Sequence, residues 1–192
     1  MSKESYANQR PIVLSNASGK VLEIGFGTGL NLPHYPTTIK EVVALDINPG
    51  MSKKAQQRSV ETGIQVEHHC LSGEQLPFDN ESFDTVVSTW TLCSIDDLRS
   101  ALLEIRRVLK PSGKFIFLEH GLADKPVTQK LQHCVTPIQK IIACGCRLNV
   151  EIDKAITSAG FQINKLDKFI LNGATSPLAG SMYRGVAFPV TE

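Results

Sequence analysis

The chain has 192 residues, 42% of them hydrophobic and 20% charged, with a formal net charge of +1, which suits one domain with a sizeable core and is too short for a second substrate domain of ordinary size. That balance gives no reason to expect nucleic acid or a membrane surface as a partner, and no apolar run reaches the roughly 20 residues of a membrane span. The polar start MSKESYANQR lacks the apolar stretch of a signal peptide, so a cytoplasmic protein is expected.

In chain order, KVLEIG (20–25) reads as a short apolar strand that runs into the glycines Gly25, Gly27 and Gly29, with a helix expected to begin near Gly29. EVVALDI (41–47) is a second strand with Asp46 at its carboxyl end. The helix after it is expected to open with Asn48 as N-cap and Pro49 at its first position, and to stop at Gly63. IQVEHHCL (64–71) alternates as a third strand, and SFDTVVSTW (82–90) is a fourth.

Next, DDLRSALLEIRRVLK places Leu98, Leu102, Ile105 and Leu109 near helical spacing, with PSG closing the helix before a fifth strand, GKFIFLEHG (113–121). Residues 126–144 read as a helix pair broken or bent by Pro126 and Pro137, and 149–160 as a helix stopped by Gly160. FQINKLDKFIL and SMYRGVAFPV are the last two strands. They lack a convincing helix between them, so a hairpin would add one antiparallel strand to a parallel sheet. The expected fold is therefore α/β, a doubly wound, mostly parallel seven-stranded sheet covered on both faces, in one domain over 1–192.

Five cysteines, at 70, 93, 134, 144 and 146, form an odd number without a secretion signal, which argues for reduced thiols. Cys144 and Cys146 lie near His133 and Cys134 but lack a second well-spaced pair, so no metal is expected.

The glycine turn marks a ligand site, since backbone without Cβ atoms lets a ligand come close. Dinucleotide binding needs a third glycine where Leu30 stands, and the phosphate-loop lysine is missing. Glu23 would repel a pyrophosphate and attract a cation or an amine, and Asp46 stands where a ribose would be received. Taken singly, Glu23 could be a helix N-terminal acid and Asp46 a turn or cap residue.

VLEIGFGTG followed by ALD, then SGEQLPFDNESFDTVVSTWTLCSI and LLEIRRVLKPSGKFIFLEH, resembles the class I S-adenosylmethionine-dependent methyltransferases over about residues 20–121. That resemblance implies a Rossmann-like fold and S-adenosyl-L-methionine as cofactor. Glu23 and the turn Gly25, Gly27 and Gly29 would hold the methionine moiety, Asp46 the ribose, and Ile47 would pack on the adenine. Relatives often carry an adenine-binding Asp where this chain has Ser72, so the backbone near Gly73 and Glu74 would make that contact. Ser88 and Thr89 would face the methionine end, and Trp90 would be either core or ligand contact.

VSTWTLCSI, FLEHG and GCRLN are similar to methyltransferase-like thiol S-methyltransferases, and GFGTGLNLPHYP to bacterial phospholipid N-methyltransferases. The resemblance implies methyl transfer to a small or lipophilic acceptor, with a thiol as the first expectation and the nitrogen of phosphatidylethanolamine as the second. A non-catalytic cofactor-binding protein is the remaining alternative. Glu119 and His120, at the end of the fifth strand, are the candidate catalytic contacts. Cys93 stands near the expected pocket, and His34 and Tyr35 near its entrance.

Overall fold

The computed structural model describes residues 4–48, 52–143, 145–171 and 177–190. Its seven strands are β1 (Val21–Ile24), β2 (Glu41–Asp46), β3 (Gln65–Cys70), β4 (Phe83–Thr89), β5 (Leu109–His120), β6 (Phe161–Ile170) and β7 (Ser181–Pro189). They form one sheet in the order β3-β2-β1-β4-β5-β7-β6. The first five strands are parallel to one another, and β7 runs antiparallel to both β5 and β6. The single antiparallel strand is thus β7, and the strand order reverses between β1 and β4.

The apolar run of β5 shows why the sheet must be covered on both faces. Phe115 and Phe117 pack into one core with Leu102, Ile105, Ile152 and Ile156. Their neighbours Ile116 and Leu118 face the opposite core with Val13, Leu14 and Val42. Successive side chains point to opposite faces, so a strand buried on both sides loses the alternation of a half-exposed one.

The helices are α1 (Glu4–Ala7), α2 (Arg10–Leu14), α3 (Lys53–Thr62), α4 (Leu98–Val108), α5 (Pro126–Ile142) and α6 (Ile152–Ser158). In α4, Asp97 caps the helix by accepting the Ser100 N–H at 3.0 Å, and Ala101, Leu102, Ile105 and Val108 form its buried stripe.

Several boundaries differ from the sequence reading. A 3-10 turn over Leu32–His34 replaces the helix expected near Gly29, because Tyr35 precedes Pro36 and is extended at φ −68°, ψ 148°. The next helix starts at Lys53 with Ser52 as its cap, the Ser52 Oγ accepting the Ala55 N–H at 3.2 Å. Asn48 instead bonds Asp46, and the expected Pro49 position lies outside the described residues.

β5 already begins at Leu109, which pairs with Phe83, and the strand absorbs PSG through a register shift beside Phe83. Residues Pro126–Ile142 form one helix. Pro126 sits at its start, where no N–H is needed, and Pro137 leaves only the His133 carbonyl without its helical donor. The two N-terminal helices were not expected at all. Among the described residues, no helix is long and apolar enough to cross a membrane.

Candidate functional site

The carboxyl ends of β1, β2 and β4 enclose a cavity of about 390 Å³, beside the point where the strand order reverses. β1 contributes Ile24 and Gly25, and the end of β2 contributes Asp46, Ile47 and Asn48. The loop after β3 adds Ser72, Gly73 and Glu74, and Trp90 and Thr91 follow β4.

Gly25 has φ +76°, and a Cβ there would lie 1.9 Å from Thr91 Oγ1, so only glycine lets the chain turn this close to the end of β4. Asp46 is a braced carboxylate. One oxygen accepts the Gly27 N–H at 2.7 Å, and the other accepts the Asn48 backbone N–H at 2.9 Å and its side-chain amide at 2.7 Å. Ile47 is 74% exposed at the rim, an apolar side chain left uncovered. Glu74 is held by accepting the Asp97 N–H at 2.8 Å, and the loop at Gly73 packs on Ile24.

Of the ten residues expected to hold the cofactor, Gly25, Asp46, Ile47, Gly73 and Glu74 line this cavity. Gly27 and Gly29 lie in the glycine turn behind it, where the Gly29 N–H donates to the Phe26 carbonyl at 3.0 Å. Glu23, Ser88 and Thr89 are buried and do not reach it.

Glu23 accepts from the Tyr35 hydroxyl at 2.7 Å and from the Asn31 amide at 2.9 Å. Asn31 in turn accepts from the buried guanidinium of Arg10. Burial raises the Glu23 pKa to about 7 against the opposing effect of these donors. The motif carboxylate therefore points into the interior. Its polar partners pull it inward, and Tyr35, expected at the pocket entrance, is one of them. Thr89 joins the same group through the Asn31 amide, at 3.1 Å.

Glu119 is fully buried as well. It accepts from the Ser88 hydroxyl at 2.8 Å and from the Thr91 backbone N–H at 2.9 Å, and burial raises its pKa to about 7. It lines neither this cavity nor the smaller one beside it. Its contacts make it a brace for the segment from Ser88 to Thr91.

His120 lies elsewhere. It faces a second cavity of about 260 Å³ that shares Trp90 and Ser94 with the first and is also lined by Tyr6, Cys93, Gln139 and Cys146. Trp90 is the wall between the two. It has φ +54° and a buried indole N–H without a partner among the described residues. It is packed by Tyr6 (ring centroids 5.4 Å apart) and by the Arg10 guanidinium (4.7 Å from the ring centroid). The N-terminal helices α1 and α2 thereby roof the site, a part the sequence reading missed. Polar residues in helices this short carry no amphipathic signal.

In the second cavity His120 Nε2 lies 3.1 Å from Cys146 Sγ. Cys146 holds its proton less firmly because of its hydrogen bond with Cys93, and that bond and burial make Cys93 hold its own more firmly. Of the residues near Cys144 in the sequence, His133 bonds Asn149 at 3.0 Å on the surface and Cys134 is exposed. Cys144 lies outside the described residues.

A model of the methyltransferase domain matches residues 22–117, half of the chain. Thiol S-methyltransferase TMT1B of Rattus norvegicus is 36% identical over 152 residues, covering 77% of this chain but only 62% of its own length. The chain thus matches less than two thirds of that relative. Phosphatidylethanolamine N-methyltransferase of Cereibacter sphaeroides is 31% identical over 109 residues, 56% of this chain and 53% of that protein. Among solved structures, 1,6-didemethyltoxoflavin-N1-methyltransferase of Burkholderia thailandensis, with bound S-adenosylhomocysteine, superposes with a TM-score of 0.73 at 15% identity, over 99% of this chain and 80% of that one.

Proposed function

This chain belongs to the methyltransferase domain family, and on that premise we propose that it moves a methyl group from S-adenosylmethionine to a thiol. The cofactor supplies a methyl carbon activated by its sulfonium, so the protein has mainly to align and desolvate the nucleophile.

The residues of the larger cavity suit that cofactor. The carboxylates of Asp46 and Glu74 and the backbone around Gly73 offer acceptors for hydroxyl and amino groups, and Ile47 offers an uncovered apolar face. Asp46 receives the ribose hydroxyls in this reading, Ile47 packs on the adenine, and Gly25 lets the methionine end come close to Thr91. Glu23, Gly27, Gly29, Ser88 and Thr89 shape the turn and strand ends from behind, as positioning residues.

One observation carries the thiol assignment. All the carboxylates of the two adjoining cavities lie on the larger side, whereas the polar lining of the smaller is aromatic rings, thiols, an imidazole, a carboxamide and the Ser94 hydroxyl. That lining offers no carboxylate to an ammonium and no lysine or arginine to a phosphate, the partners that suit an ethanolamine phospholipid headgroup. A thiolate needs no carboxylate base, and Trp90 and Tyr6 exclude water from it. His120 is the lining group that meets the acceptor, and Glu119 positions Thr91 behind it. The 36% identity to a thiol S-methyltransferase supports the same reading.

Transfer of labelled methyl from S-adenosylmethionine to a small alkyl thiol and to phosphatidylethanolamine vesicles, run side by side, tests it. Label on the thiol alone is expected. Label in the lipid alone would overturn the assignment. Label in neither, with the cofactor bound, would make the chain a non-catalytic binder.

A further inference from the structure

Three side chains from distant segments meet in the smaller cavity. Cys93 comes from the 3-10 turn after β4 (Leu92–Ser94), His120 is the last residue of β5, and Cys146 lies in the loop after α5. Their ligand atoms lie within 4.8 Å of one another. Cys93 and His120 are 1% and 3% exposed, so both are desolvated already.

The arrangement is built into the fold. The Arg147 backbone N–H donates to the Cys93 carbonyl at 2.9 Å. The Arg147 guanidinium reaches the same carbonyl at 3.3 Å and the Ile95 carbonyl at 2.5 Å. The loop carrying Cys146 is thereby fastened to the turn carrying Cys93. Two thiols and an imidazole have been brought together without forming a disulfide, Cys93 and His120 buried and Cys146 half-buried. One ring nitrogen of His120, Nδ1, is buried without a hydrogen-bond partner among the described residues. A histidine that serves only packing is normally satisfied at both nitrogens or exposed.

We propose that Cys93, His120 and Cys146 bind one thiophilic divalent cation, Zn²⁺ in the first place, and leave its fourth coordination position open to the acceptor pocket. With metal–sulfur bonds of about 2.3 Å and a metal–nitrogen bond of about 2.0–2.1 Å, tetrahedral ligand atoms lie roughly 3.5–3.8 Å apart. The present spacing, from 3.1 Å between His120 Nε2 and Cys146 Sγ to no more than 4.8 Å across the three, brackets that geometry. Cys₂His with an open position is a donor set of catalytic rather than structural zinc, which takes four protein ligands. Thiolate and imidazole select such a cation over Mg²⁺ or Ca²⁺.

The same cavity is lined by Trp90 and Tyr6, on the side where the larger cavity ends, and the open position is assigned to that side. An acceptor R–SH binding there forms a metal–sulfur bond and releases its proton to solvent, and no oxidant or reductant takes part. This role for the open position rests on the thiol reading of the function, whereas the cation site does not.

The test uses the full chain, reduced and freed of metal. Zn²⁺ is titrated in competition with a chromophoric chelator, and Co²⁺ is added separately to read thiolate-to-cobalt charge transfer. One equivalent of Zn²⁺ per chain and a charge-transfer band are expected. Cys93→Ser, His120→Gln and Cys146→Ser should each weaken binding by at least about 100-fold, the upper end of what loss of even an outer-shell partner costs. Cys134→Ser, at an exposed thiol outside the cluster, should leave it unchanged. Calorimetry with S-adenosylhomocysteine checks that the variants are folded.

Less than a tenth of an equivalent bound to the wild type, or no charge-transfer band, would overturn the site whatever the variants do. Binding unchanged in all three would place the cation elsewhere and overturn it too. Addition of an alkyl thiol to the Co²⁺ form should shift its visible bands, and an unchanged spectrum in a preparation that methylates that thiol would refute the open position. A bound cation in a protein that methylates no thiol would uphold the site and sink the thiol assignment instead.

Discussion

The hydroxyl of Tyr35 donates to the carboxylate of Glu23 across 2.7 Å, and both side chains are buried. This bond turns the acid of the glycine motif away from the cavity it borders. It also leaves a carboxyl in the interior, where burial raises its pKa from 4.5 to about 7. Glu119 is shifted from 4.5 to about 7 by the same cause.

These shifts set a pH dependence. A carboxyl whose folded pKa lies above its unfolded value binds more protons when folded, so its contribution to stability is full below about pH 4.5 and is lost as pH rises to about 7. The melting temperature of the ligand-free protein should therefore carry a falling component over that window. Glu23→Gln and Glu119→Gln should each flatten it. Melting curves at closely spaced pH values read this directly, and an unchanged slope in both variants would refute the assignment.

Gly25→Ala asks for a left-handed conformation at φ +76° and puts a methyl 1.9 Å from Thr91 Oγ1. The backbone strain alone costs about 1–3 kcal/mol, and the clash adds to it. A fall in melting temperature of about 4 °C or more is expected for a chain of this size, together with loss of S-adenosylhomocysteine binding in calorimetry. Gly27→Ala, where a Cβ meets nothing within 4 Å, should keep more of both.

Asp46→Ala removes the acceptor assigned to the ribose. Calorimetry should show S-adenosylhomocysteine bound more weakly by about 1–3 kcal/mol, or about 5–150-fold. Asp46→Asn keeps one acceptor oxygen for the Gly27 N–H and should fall between the two. An unchanged affinity in Asp46→Ala would remove this residue from the site.

Much of the fold was legible because it rests on local patterns. Apolar runs such as Val42–Leu45 and Phe115–Leu118 are strands buried on both faces, and Gly63 marks a helix end through its own chemistry. What stayed hidden depends on distant partners. Helices α1 and α2 are held by Tyr6 against Trp90 and by Arg10 against Asn31, contacts that no window of sequence contains. The glycine motif located the cavity, but the direction of Glu23 was decided by Tyr35 and Asn31. Similarly, Cys146 was read with its sequence neighbours Cys144, Cys134 and His133, whereas folding places it with Cys93 and His120.

Trp90 is the single tryptophan of the chain and the wall shared by the two cavities, so its fluorescence tests directly whether cofactor and acceptor meet there. The emission is followed while S-adenosylhomocysteine is added, and then while an alkyl thiol is added to the saturated protein. Two successive saturable changes are predicted, the first with the affinity found by calorimetry and weakened in Asp46→Ala. Calorimetric binding with no change in emission, or a thiol that is methylated without disturbing it, would contradict a transfer site at Trp90.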